Sequence, residues 1–237
     1  MKPTDNIFFH ECEVKFRIPS EHAYEAWERR LRSIGFERTS RQLETDFIPD
    51  TADFACRAHG LMLRFRHLEV DDGRQDIILT VKLKGDASSF QERFEYECAF
   101  SAIDDAMLAR INHLLKTATG RTLPPSLLAY TPDQFDALCS DVRSIFPALR
   151  IHMQKKRTTY SYDVYHALFD TLPVGIGDYL ELEAPSPEAL DMLLRALMID
   201  DDHKTAHDYG EILIAHHADK EGAAQRTGLF LTHERTL

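Results

Sequence analysis

Several stretches of the chain alternate apolar and polar residues at period two, the signature of strands with one buried and one polar face. They cover residues 8–18, 42–48, 61–68, 76–84, 92–100, 150–159, 161–169 and 178–184. Helical spacing fills the gaps at 21–34, 102–118, 131–145, 187–198 and 205–217. Ser20 is placed to cap the first helix and Gly35 to end it. The prolines at 124 and 125 mark a loop, and periodicity fades from Asp219 onward. The pattern predicts one β-rich α+β domain over 1–218, with a helical insertion over 117–150 and a loosely held tail over 219–237.

The polar faces of these strands are unusual. Glu11, Glu13, Lys15 and Arg17 alternate with Cys12, Val14, Phe16 and Ile18. Arg64 and Arg66 share a face, as do Thr80, Lys82 and Lys84, then Arg93, Glu95 and Glu97, and finally Glu181 and Glu183. An antiparallel sheet with one wet face accounts for any one such strand. Five of them crowd both signs along single lines, which costs Coulomb energy unless a ligand or counter-charge intervenes. Helices with apolar faces could cover the outside of the sheet, which turns the charges toward a polar barrel interior.

Composition narrows the class. The 237 residues hold 39 acids and 28 bases, a net charge of −11. That excess argues against coating nucleic acid or an anionic membrane by bulk charge. Residues 1–14 lack an apolar signal-peptide core, and no window reaches the ~18–20 apolar residues of a membrane helix. Cys12, Cys56, Cys98 and Cys139 are widely spaced and read as reduced thiols. The expected location is cytoplasmic. His203 and His207 stand four apart, half of a zinc pattern if helical, but Lys204 follows where a metalloprotease helix carries Glu. No GxxxxGK[ST] or GxSxG motif occurs.

In chain order, Glu11–Lys15 resembles the ExExK signature of the CYTH domain, the triphosphate tunnel metalloenzyme superfamily. Gln42–Asp50 is similar to its second strand and aspartate-containing turn. Leu63–Arg66 resembles LRxR, Thr80–Lys82 TxK, Arg93–Glu97 RxExE and Lys155–Tyr160 KxRxxY. Asp170 precedes the Gly175 and Gly177 turn, Glu181–Glu183 matches ExE, and Asp208–Leu213 resembles the C-terminal SYxELL helix. Phe47-Ile48 and Lys84 depart from the usual pattern, and 117–150 is long for compact members.

The resemblance implies an eight-stranded antiparallel β-barrel, a triphosphate tunnel, with helices packed outside. Lys15, Arg64, Arg66, Lys82, Lys84, Arg93, Lys155 and Arg157 would bind the triphosphate. Strand parity with Arg157 favours Lys155 over Lys156, and Arg17 falls at the rim. Glu11, Glu13, Glu181 and Glu183, with Glu95, Glu97 and Asp170 as further candidates, would hold Mg²⁺ or Mn²⁺, since hard cations take carboxylate oxygens. Lys15, Glu13 and Asp170 are the candidate catalytic residues. The implied activity is metal-dependent hydrolysis of a small triphosphate: inorganic triphosphate first, then thiamine triphosphate or a nucleoside triphosphate. The alternatives are an adenylyl cyclase of the class IV type and a non-catalytic polyphosphate or nucleotide sensor. A monomer or homodimer with no nucleic-acid or membrane partner is expected. The seven acids and eight bases so placed leave the tunnel one charge positive, inside a shell that carries the acid excess.

Overall fold

The computed structural model describes residues 9–84, 91–173, 175–199, 201–221 and 229–231. Side chains at 9–11, 84, 91–94, 214, 217–221 and 229–231 lie outside the description. Eight long strands carry the fold: β1 (Phe9–Ile18), β2 (Glu37–Asp50), β3 (Leu61–Val70), β4 (Gln75–Lys84), β5 (Gln91–Ala99), β6 (Ala148–Tyr162), β7 (Tyr165–Leu172) and β8 (Gly177–Ala184). All pairings among them are antiparallel, in the order β6-β2-β3-β4-β5-β1-β8-β7, and β7 also pairs with β6. The result is a barrel-like tunnel. Its seams are partial: β6 meets β7 over Lys156–Tyr162, and β1 meets β5 over Phe9–Glu13. Beyond those registers, β9 (Lys204–Thr205) pairs with β1 at Lys15 and Phe16. On β6, β10 (Leu229–Leu231) pairs in parallel with Ile151–Met153.

The expected inversion of faces holds. Apolar residues point outward and are covered by helices: α1 (Glu21–Ser33), α3 (Asp105–Thr119), α4 (Phe135–Ile145) and α5 (Pro187–Leu197), numbered with the short α2 (Ala55–Ala58) between. α1 buries Trp27 and Leu31, and α5 buries Leu190, Leu193 and Leu197, against Val14, Phe16, Phe169, Leu180 and Leu182. α3 buries Leu108, Ile111 and Leu115, and α4 Phe135, Leu138, Cys139 and Val142, over Leu63, Phe65, Leu79 and Val81. The 3–4 residue spacing gives each helix one apolar stripe. Each fully buried Leu or Phe contributes roughly 1.5–3 kcal/mol, so these outer cores hold the charged interior in shape. Ser20 Oγ accepts from Ala23 N–H at 3.2 Å, and Gly35 has φ +102°, which an L side chain seldom adopts.

Boundaries differ where turns compete. β2 starts at Glu37, five residues before its alternation becomes regular, because it follows β6 through a bulge between Arg38 and Ser40. Residues 132–134 form a 3-10 turn, and α4 starts at Phe135. The last helix, α6 (Tyr209–Glu221), starts four residues later than its spacing predicts. Residues 201–203 form a 3-10 turn and 204–205 a strand, so His203 and His207 do not share a helix face. Asp208 and Glu211 fix the start reciprocally: Asp208 Oδ1 accepts from Glu211 N–H at 2.8 Å, and Glu211 Oε2 from Asp208 N–H at 3.1 Å. Gly210 lets α6 sit against β6, because a Cβ there would lie 2.6 Å from Ile151 Cδ1. No described helix is long and apolar enough to cross a membrane.

Candidate triphosphate site

The inward faces enclose a cavity of about 580 Å³, lined among others by Glu13, Lys15, Arg64, Arg66, Lys82, Glu95, Glu97, Lys155, Arg157, Glu181 and Glu183. Cross-strand register brings these together. Glu13 faces Glu183 and Lys15 faces Glu181 between β1 and β8, Lys82 faces Glu95 between β4 and β5, and Arg157 faces Asp170 between β6 and β7.

One wall is acidic. Carboxylate oxygens of Glu13, Glu181 and Glu183 lie within 4.8 Å of one another. Lys15 Nζ stands beside them, 3.3 Å from Glu181 and 3.9 Å from Glu13. Burial opposes the charge on Glu181, yet Lys15, Arg157 and Lys155 hold its carboxyl well below the usual range. A trio of clustered carboxylates is a donor set for a hard divalent cation, so these residues fit Mg²⁺ or Mn²⁺. Glu95, Glu97 and Asp170 do not join the trio. Glu11 pairs with Arg93 in the backbone register, as does Lys84. The side chains of Glu11, Lys84 and Arg93 lie outside the described set.

The opposite wall is a buried ion network. Arg66 donates to both oxygens of Asp46, at 2.6 and 2.9 Å, and its third arm reaches Glu44 at 2.9 Å. Lys155 Nζ lies 2.8 Å from Asp170 and 3.2 Å from Glu44. Arg157 holds Asp170 bidentately, with both bonds at 2.6 Å. Nearer the solvent, Lys82 pairs with Glu95, and Arg64 Nη2 donates to Glu97 at 2.8 Å. Thr80 Oγ1 bridges, accepting from Arg64 at 3.0 Å and donating to Glu97 at 2.9 Å. Burial opposes the charge on Glu97, but Arg64 and Arg66 hold its carboxyl below the usual range.

Glu44 and Asp46 lie on the strand that resembles the family's second strand, outside the expected site residues. Both are buried, at 0% and 3% exposure. The signal was their shared period with Gln42. Among the described side chains, the acids Glu13, Glu44, Asp46, Glu95, Glu97, Asp170, Glu181 and Glu183 then outnumber the bases Lys15, Arg64, Arg66, Lys82, Lys155 and Arg157 by two, where a surplus of one base was expected. Tyr209, also missed, sets its ring over Lys15 Nζ at 4.2 Å and Lys155 Nζ at 4.8 Å. Burial, then Asp170 and Glu181, push its hydroxyl well above the ordinary value.

The CYTH domain profile matches residues 10–207. The chain belongs to the CYTH family. Solved structures share the fold. PH1819 of Pyrococcus horikoshii aligns at TM-score 0.56 and 18% identity, over 87% of this chain and 99% of that one. A candidate adenylate cyclase from Vibrio parahaemolyticus aligns at 0.54 and 16%, over 86% and 98%. HpAC1 of Hippeastrum, a candidate adenylyl cyclase with a dominant triphosphatase activity, aligns at 0.53 and 17%, over 87% and 96%. No curated protein matches the chain significantly.

Buried charge in this CYTH domain ties stability to pH. Burial opposes ionisation of Asp170, but Arg157 and Lys155 lower its pKa to about 2. A depressed carboxyl contributes stability that is present above its unfolded value near ~3.9 and lost as pH falls through the folded one. Urea midpoints should therefore fall between about pH 4 and 2, by on the order of 2 kcal/mol for Asp170 alone. Asp170→Asn should show a flatter acid limb, and an unchanged slope would refute the assignment.

Proposed function

We propose that this CYTH domain hydrolyses a small triphosphate with the help of Mg²⁺ or Mn²⁺, inorganic triphosphate being the leading substrate. The observation that carries the reading is the pairing in one cavity of the Glu13–Glu181–Glu183 trio with a wall of guanidinium and ammonium groups. The family and the triphosphatase activity of HpAC1 support it. Charge adds a second reason. The described interior holds more carboxylates than a polyanion would tolerate alone, so a triphosphate would enter with its counter-cation.

The basic residues divide by what holds them. Arg66, Lys155 and Arg157 are locked by Glu44, Asp46 and Asp170, and present fixed charge to the cavity. Arg64 and Lys82 pair with the more accessible Glu97 and Glu95, and can exchange those partners for phosphate oxygens. Lys15, the point charge between the two walls, serves the reacting phosphate. Glu13 orients the attacking water in line with the departing phosphate. Asp170 is a positioning residue here, acting through Lys155 and Arg157. The cation, when held by Glu13, Glu181 and Glu183, would neutralise charge developing on the phosphate oxygens.

A second reading, cyclisation of ATP, is favoured by the apolar end of the same cavity. Ile48, Met62, Ile151, Met153 and Tyr209 line it and would suit a nucleoside. One assay separates the readings. With Mg²⁺ or Mn²⁺ and triphosphate, thiamine triphosphate or ATP supplied in turn, inorganic phosphate should be the product, fastest from triphosphate. Cyclic AMP with pyrophosphate would overturn the hydrolase reading. Tight binding without product would make the domain a polyphosphate or nucleotide sensor.

A further inference from the structure

Along β1 the inward positions run Glu13, Lys15, Arg17, and along β8 they run Glu183, Glu181, Tyr179. The first two of each set line the triphosphate cavity, while Arg17 and Tyr179 line a second cavity of about 500 Å³. Between the cavities stand two tyrosines. Tyr209 belongs to the first and Tyr179 to the second, with ring centroids 5.7 Å apart, edge to face at 77°.

The chemistry on the two sides of that partition is opposite. In the triphosphate cavity, Arg64, Arg66 and Arg157 each hold a carboxylate within 3 Å. In the second, the cationic or N–H-bearing side chains are Arg17, His203, Lys204, His207 and His216, against the single lining carboxylate of Asp202. His207 Nδ1 also lies 3.3 Å from Glu211 Oε2, outside the lining. Arg17 packs against the backbone at Gly177, where an added Cβ would lie 3.6 Å from its Nε. Arg17 makes no ion pair with a described carboxylate. In a chain with 39 acids, a guanidinium at a cavity wall with no acid partner among the described residues stands out. The floor is apolar, from Ile176 and Tyr179 at 3% and 5% exposure, and the exposed side chains of Arg17, His203, Lys204 and His207 stand around it.

We propose that this recess is a second anion site, separate from the triphosphate cavity, that binds inorganic phosphate. Arg17 supplies the fork of donors that a tetrahedral oxyanion takes, and Lys204 a second positive charge. The imidazole N–H groups complete the shell. The site needs neither a divalent cation nor turnover, so it stands or falls apart from the hydrolase reading.

Titration of the metal-free protein with inorganic phosphate, followed by calorimetry and by ¹⁵N chemical shifts, tests this. Wild type should bind one phosphate, with the largest shifts at residues 17, 177–179 and 203–207. Arg17→Gln, a change at an exposed position, should weaken binding at least about tenfold. Lys82→Gln, on the far side of the tyrosine pair, should leave it unchanged. The proposal is overturned if wild type binds no phosphate, if Arg17→Gln binds as wild type does, or if Lys82→Gln abolishes binding. Failure of the turnover assay with retained, Arg17-dependent phosphate binding would reject only the hydrolase reading.

Discussion

Arg66→Met should cost about 3–5 kcal/mol of stability, enough to unfold much of a domain whose total is ~5–15 kcal/mol. Arg66 is 4% exposed and satisfies two carboxylates at once, Asp46 through two bonds and Glu44 through one. A methionine fills most of the volume, so packing is nearly kept. What is lost is the counter-charge, and two buried anions then share Arg64, Lys155 and Arg157. Urea unfolding at pH 7 would measure it. The double variant with Asp46→Asn should recover part of the loss, because it removes one of the orphaned charges. A loss below about 1 kcal/mol, with no coupling to Asp46, would mean that water reaches the network and screens it.

The same network explains how far the sequence could be read. Period two fixed the strands, and the parity of Glu13, Lys15, Arg64, Arg66, Lys155 and Arg157 set them on one face, because alternation is a local property of extended backbone. The outward faces were equally legible in the stripes of α3, α4 and α5. Pairing across the barrel was not. That Asp170 is held by Lys155 and Arg157, and Glu44 by Arg66, depends on the register between strands far apart in the chain. Glu44 and Asp46 were not legible as site residues because the partners that bury them, Arg66 on β3 and Lys155 on β6, meet them only across strand pairings. The partners that buried bases require are what the structure adds. Tyr209 was hidden for another reason. Its helix was predicted to begin at 205, and only the Asp208–Glu211 cap and the approach allowed by Gly210 set the ring over two lysines.

Glu183→Gln should make the protein more stable and far less active. Glu183 stands directly across from Glu13, with Glu181 two residues along the same strand, so three like charges crowd one wall. Like charges opposite one another in a sheet are destabilising, and removing one should raise stability by about 0.2–1 kcal/mol. Lys15 offsets only part of this crowding, 3.3 Å from Glu181 and 3.9 Å from Glu13. A site that gathers a divalent cation has a use for it, since stability is commonly given up where function needs strained electrostatics. The amide keeps the shape and one acceptor oxygen but loses the charge that draws the cation. Metal-dependent turnover should therefore fall at least about a hundredfold, the loss of some 3 kcal/mol of transition-state stabilisation. The metal concentration for half-maximal rate should rise with it. Activity and urea midpoint measured on one preparation would decide the matter. Unchanged turnover would remove Glu183 from the metal site. A fall in both would give it a structural role instead, in which its charge supports the neighbouring bases rather than a cation.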